Sequence, residues 1–250
     1  MALFKSGNPA LDKETFLGFA GAEDASQSMT LQGTVNKTAI LLLLVLASAL
    51  VPWQLHSKTH DFESMLTEFW LSLLGAALIG FWLAHNKDHA AFLAPLYAIL
   101  EGFVLGILSA LLEVRYQGII IESLILTFGI AGSLLVMYTL EWIKPTENFK
   151  LIVASATAGI AVYYLISMVL QIFGMDVPLV NDNNFTGILF SLLVVVIASM
   201  NFVVDFDFIE EGVRQRCPKY MEWYGAFGIM VTIIWLYIEV LRLLAKSRRR

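Results

Sequence analysis

Long apolar runs alternate with short polar links along this chain, and seven of the runs approach the roughly 20 residues that a helix needs to cross a bilayer. They fall at 38–55, 65–84, 90–112, 118–140, 151–173, 185–206 and 224–245. The links are short, so neighbouring spans must run antiparallel, and the pattern predicts an all-α integral membrane protein: one seven-transmembrane-helix bundle without a second domain. Residues 1–36 form a mixed amino-terminal segment, residues 37–246 the membrane domain and residues 247–250 a basic tail. In the first segment Gly7-Asn8-Pro9 signals a turn, and Phe16, Leu17 and Phe19 suggest a short amphipathic piece on the membrane surface, with disorder as the alternative. Most of the tryptophans, among them Trp53, Trp82 and Trp142, stand near span ends, where such rings prefer the headgroup level.

Composition narrows the class. With 58% hydrophobic and 15% charged residues the chain is too apolar for an ordinary soluble domain, and its net charge of −5 gives no reason to expect a nucleic-acid partner. The start does not read as a signal peptide, because Asp12, Glu14, Glu23 and Asp24 occupy the place of an apolar core. The single Cys217 excludes an internal disulfide and any multi-cysteine metal site, and reads as a plain loop thiol.

Charge also sets an orientation. The face that carries the amino terminus would hold nine lysines and arginines and the opposite loops only Lys58 and Arg115, which predicts a cytoplasmic amino terminus. Arg242, Lys246 and Arg248 to Arg250 run against that count. A re-entrant last segment would relieve the conflict, although a crossing helix is the favoured reading. Small residues at Gly102-xxx-Gly106, Gly129-xx-Gly132-Ser133 and Ala154-xxx-Ala158 mark seams where helix backbones approach closely.

The chemistry to be explained is the acid inside the spans. A carboxylate at the centre of a membrane helix costs roughly 2.5–3.5 kcal/mol on insertion scales, so such residues usually face a bundle interior or a wet cavity. Asp205, at the end of the sixth span, is the leading candidate, and Glu101, near the middle of the third, must be protonated, paired or facing water. Asn201 and Asp205 are four residues apart and share a face, whereas Asp207 is turned by roughly 200° from Asp205, so the two aspartates are not one chelating pair. Asp207 and Glu211 point toward another surface or toward the turn with Arg214. Glu122, Glu141 and Glu239 lie near span ends, where side chains reach the headgroups cheaply. An inward-facing Asp205 could act as a proton-sensitive gate and attract a passing cation such as Ca²⁺, although Ca²⁺ wants six to eight oxygens and the interior supplies few carboxylates. That chemistry suits transit better than tight binding.

Two HxxxH spacings, His56 with His60 and His85 with His89, would lie on opposite membrane faces and cannot share a zinc ion; neither sits in an HExxH frame. Hydrolase and nucleotide-binding motifs are missing, so an enzyme is not expected, nor any cofactor beyond calcium as a transported ion.

The runs MTLQGTVNKT at 29–38, EGFVLGILSALLE at 101–113, DFDFIEEGV at 205–213 and PKYMEWYGAFGIMVTIIWLYIEVLRLL at 218–244 resemble the Bax inhibitor (transmembrane Bax-inhibitor-motif) family, in a bacterial branch of it. The resemblance covers nearly the whole chain. It implies a seven-helix bundle with the last helix central, and a pH-dependent Ca²⁺ leak. It also implies modulation of cell death in eukaryotic members and of a membrane protease in a bacterial relative. In that family a carboxylate near the end of the sixth span pairs with one in the last span, helped by an arginine ending the second. Asp205 matches the first position; the second falls on Thr232 and the arginine on Ala84, beside His85. Glu101, Glu222 or Glu239 are then candidates for a replacement carboxylate and His85 for a titratable cation.

Three functions follow as expectations. The first is a pH-responsive passive Ca²⁺ or general cation leak through a membrane, expected to be the bacterial inner membrane. A second is a scaffold that regulates a membrane protease or another membrane protein, and a third a proton-coupled transporter, for which no inverted repeat of broken helices is apparent.

Overall fold

The computed structural model describes residues 28–59, 62–143, 145–175, 177, 179 and 184–248, without the side chains of 56–59, 62 and 63. The surface helix expected around Phe16 to Phe19, the histidine pair His56 and His60, and the last two arginines therefore lie outside the described residues or side chains. Within them run seven helices: α1 Leu31–Thr59, α2 Phe62–His85, α3 Ala90–Arg115, α4 Ile119–Thr139, α5 Glu147–Ile172, α6 Phe185–Arg214 and α7 Met221–Arg248. A short 3₁₀ turn, Lys87–His89, links α2 to α3. All seven helices are long and apolar enough to cross a membrane, so the chain is an all-α, seven-span membrane protein. Among the described residues the β structure is one isolated bridge, Ser28 to Pro218.

Helix starts follow local chemistry. Thr146 Oγ1 accepts the Phe149 N–H at 3.3 Å to cap α5, and Asn184 Oδ1 accepts the Gly187 N–H at 2.8 Å to cap α6. Gly118, with φ +79°, supplies the left-handed residue that turns the chain from α3 into α4. Pro218 precedes α7, and its carbonyl accepts the Met221 N–H at 3.0 Å.

All the helices but α4 overrun their predicted spans, and three of the overruns carry the polar contacts that follow. α1 begins at Leu31 rather than 38, so the boundary placed at residue 36 falls inside a helix; α6 continues past 206 to Arg214, and α7 starts at Met221. The polar residues in these extensions have partners, as described below. The last segment is a single unbroken helix of 28 residues, about 42 Å at 1.5 Å per residue, which suits a crossing rather than a re-entrant hairpin. Of the seven it is also the most enclosed, 67% of its apolar window being buried.

The described helices cluster into two compact units rather than one. The first holds α4, α5, α6 through Phe208 and α7 from Val231; the second holds α1 to α3, the end of α6 from Ile209 and the start of α7 through Met230. In the first, Val195 and Ala198 of α6 pack on Leu236 and Val240 of α7. In the second, Gly102 and Gly106 of α3 press on α1: a Cβ on Gly102 would fall on Ser48 and Val45, and one on Gly106 on Ala49 and Pro52. That seam is the close approach its spacing predicts. The expected α4 and α5 seams behave differently, because a Cβ on Gly129, Gly132 or Gly159 would meet nothing within 4 Å among the described residues.

Candidate functional site

α6 carries Asn201 and Asp205 one turn apart, both buried, at 1% and 0% exposure. From α7, Thr232 Oγ1 donates a hydrogen bond to Asp205 Oδ2. The resemblance put the counterpart of a second carboxylate at residue 232, and the helices bring that residue to Asp205, as a hydroxyl in place of an acid. Asn201 is held from α5 and from its own helix: Nδ2 donates to Thr157 Oγ1 at 2.6 Å and to Ile197 O at 3.0 Å. Both amide protons are thereby used, and Oδ1 is left without a hydrogen-bond partner among the described residues. An acceptor buried in this way costs about 1–3 kcal/mol.

Asp207 takes no part in this pair: it forms an ion pair with Lys150 of α5, the helix that also supplies Thr157, and Lys150 lies 3.4 Å from Glu147 as well. Of the two acids expected near the turn, Glu211 is the one that pairs with Arg214. These contacts let α6 continue as a helix through its acidic stretch.

The other candidates fall elsewhere. Glu101, Glu222 and His85 belong to the second unit. The Glu101 side chain is buried at 9%, one turn after Tyr97, whose ring meets Phe227 edge-on at 4.9 Å. Glu222 is a fully buried and fully engaged group. It accepts from the Thr30 N–H (2.9 Å) and Thr30 Oγ1 (2.8 Å), and pairs with Lys37 and, at 3.2 Å, with Lys219. Gly33 makes room for it, since a Cβ there would land on its carboxylate. Beside it the Met29 N–H donates to Cys217 O at 2.6 Å. Two motifs far apart in sequence, 29–38 and 218–225, thus meet in one clasp.

Glu239, in the first unit, is likewise committed. Arg242 Nη1 lies 2.9 Å from its Oε1, and Tyr164 Oη donates to both carboxylate oxygens at 3.2 and 3.1 Å, while the Arg242 guanidinium stands 4.8 Å from the Tyr164 ring centre. Neither Glu222 nor Glu239 is a spare carboxylate. His85 is exposed, with Nδ1 2.9 Å from Phe81 O of its own helix. The basic end of α7 is also partnered: Arg248 pairs with Glu122 at 2.7 Å, and Lys246 donates to Leu179 O at 2.6 Å and Gly187 O at 3.1 Å.

No group of three His, Cys, Asp or Glu residues able to hold a metal occurs among the described residues. His89 pairs with Asp88 at 3.1 Å. Cys217 is fully buried rather than an open loop thiol, and burial, then the nearby Glu211, pushes its thiol up to about 11. Burial also raises the Tyr220 phenol, with Asp88 adding to it.

Sequence reasoning reached Asn201, Asp205 and Thr232 but missed Thr157, Tyr164, Lys150 and the Thr30–Lys37–Glu222 clasp. Lone charges at span ends, Lys37 and Glu222, were the available signal, and nothing in the sequence paired them.

Seven spans with a carboxylate and an amide enclosed on the sixth define a polytopic helical membrane protein with a polar site inside its spanning helices. The match of the Bax inhibitor 1 like family to residues 8–249 makes it specific: the chain belongs to that family. No curated protein and no solved structure matches it.

Proposed function

We propose that the protein is a pH-responsive passive leak for cations, Ca²⁺ being the ion that the family resemblance implies, and that Asp205 is its titrating group. The observation that carries the reading is the Asp205 carboxylate, wholly buried within a spanning helix and hydrogen-bonded to a hydroxyl of the last helix. Gain or loss of a proton changes both its charge and the direction of that hydrogen bond, so one event alters cation attraction and the α6–α7 contact together. Asn201 lines the same face, and Glu101, a buried carboxylate of the second unit, is a separate candidate titrating group in this reading. The distribution of lysine and arginine supports a cytoplasmic amino terminus, and the resemblance to a bacterial branch of the family implies an inner membrane.

The test is Ca²⁺ flux into liposomes that hold only this protein, from about pH 6 to about pH 8, for wild type and Asp205→Asn. The expected result is a flux whose pH dependence disappears in the mutant. Folded protein that moves no ion at any pH would end the leak reading. An unchanged pH response in Glu101→Gln would remove Glu101 alone.

One observation favours a second reading, a scaffold for a membrane protease or other membrane protein: the α4 and α5 glycines, open to the outside, are the kind of surface on which partner helices pack. A scaffold would move no ions when purified alone.

A further inference from the structure

The unpaired oxygen of Asn201 has a definite chemical demand. The orientation of its amide is fixed, because turning it over would set Oδ1 against Ile197 O, two acceptors face to face, where Nδ2 now donates at 3.0 Å. Thr157 secures the other amide proton at 2.6 Å. Oδ1 is therefore held as a bare acceptor at a position with 1% exposure. Thr127 and Ser191 also have buried hydroxyls without a partner in this unit, but a hydroxyl can rotate and donate to a carbonyl of its own helix. An amide oxygen cannot. Only a proton donor or a cation satisfies it, and the next polar group on the same face is the Asp205 carboxylate, itself an acceptor whenever it is ionised.

We propose that Asn201 Oδ1 is a ligand oxygen for a partly hydrated cation passing Asp205, and that Thr157 is the positioning residue that aims it. The proposal rests on the leak reading and adds to it a second oxygen and the side chain that holds that oxygen in place. A neutral amide oxygen suits a transit position: it replaces one water of the ion without adding the charge that would trap it. Thr157 touches no ion in this arrangement. Ile197 O decides which end of the amide faces the path, and the Thr157 hydroxyl anchors the amide there.

The experiment uses full-length protein with Ca²⁺ as the probe and reads two quantities: the Ca²⁺ dependence of flux into liposomes, and the shift in thermal unfolding that Ca²⁺ produces in detergent. Asn201→Leu and Thr157→Val should each raise the half-saturating Ca²⁺ by about tenfold while changing the maximal rate much less, and should abolish the Ca²⁺-induced shift in unfolding. Thr157→Ser, which restores the hydroxyl, should return both to wild type. If Asn201→Leu leaves half-saturation and the Ca²⁺ shift as they were while unfolding at a higher temperature, Oδ1 held only a water and the proposal falls. Should Asn201→Leu fail to fold, Thr157→Val with wild-type half-saturation overturns the proposal alone. A wild type that moves no Ca²⁺, but whose unfolding shift with Ca²⁺ is lost in Asn201→Leu, ends the leak reading and leaves the binding site standing.

Discussion

Two buried oxygen sites are built in opposite ways. In the clasp, Glu222 receives the Thr30 backbone, the Thr30 hydroxyl, Lys37 and Lys219, so that both of its oxygens hold donors. On α6, Asn201 gives away both protons and its oxygen receives nothing among the described residues. A carboxylate that collects donors fixes how helices pack, because removing any member leaves charge buried and uncompensated. An acceptor kept bare costs stability, and such a cost is a mark of sites that serve an exchangeable partner. The quoted stretches at 29–38 and 218–225 form the clasp, whereas Asn201 stands one turn before the stretch at 205–213.

The contrast breaks first at Glu222. Glu222→Ala should destabilise the protein by about 3–5 kcal/mol, since Lys37 loses its anion in a half-buried setting, seen as a lower unfolding temperature in detergent. Gly33→Ala should follow at about 1–3 kcal/mol in the same assay, because the new methyl falls on the Glu222 carboxylate. If either variant unfolds like wild type, the clasp is not what holds α1 to α7. Thr232→Val should cost only about 1 kcal/mol, the worth of one hydrogen bond, yet displace the pH profile of flux; a loss of stability without that displacement would make Thr232 a packing residue. Alkylation of Cys217 sharpens the picture of the clasp. With the thiol moved from 9.0 to about 11, its thiolate fraction at pH 8 falls about a hundredfold below that of the unfolded chain, and the native rate should climb about tenfold per pH unit until near that value. Mass spectrometry of the labelled fraction reads it. The smallest effect belongs to Gly132→Ala, which should leave stability unchanged or raise it by about 0.5–1 kcal/mol, as the methyl enters open space on a helix.

Hydropathy reveals the seven spans because each needs only its own composition. It misses the extensions of α1 and α6 because these contain Lys37, Asp207 and Glu211, whose charges are met by Glu222, Lys150 and Arg214. Arg214 is three residues from its partner, but Lys37 and Glu222 are 185 apart, and no periodicity within a helix encodes such a pairing. The same limit applies to the site. Helical rotation alone puts Asn201 with Asp205 and turns Asp207 away, and the family resemblance supplies the register that brings Thr232 across. Thr157 has no such signal: it stands among alanines in an apolar run, and its use depends on how α5 meets α6. Small-residue spacing likewise marks a seam without saying what fills it. Gly102 and Gly106 meet α1, whereas Gly129, Gly132 and Gly159 meet nothing within 4 Å among the described residues.

The distance between Lys37 and Glu222 also has a consequence in time. At about 5–20 residues per second, 185 residues of further synthesis separate the appearance of the lysine from that of its carboxylate, about 9–37 s during which α1 carries an ammonium without its eventual counterion. A nascent chain halted before Met221 lacks the acceptor for Thr30 and the anion for Lys37 alike. α1 is thus made well before it can settle, and completion of the start of α7 is the step that closes it in place.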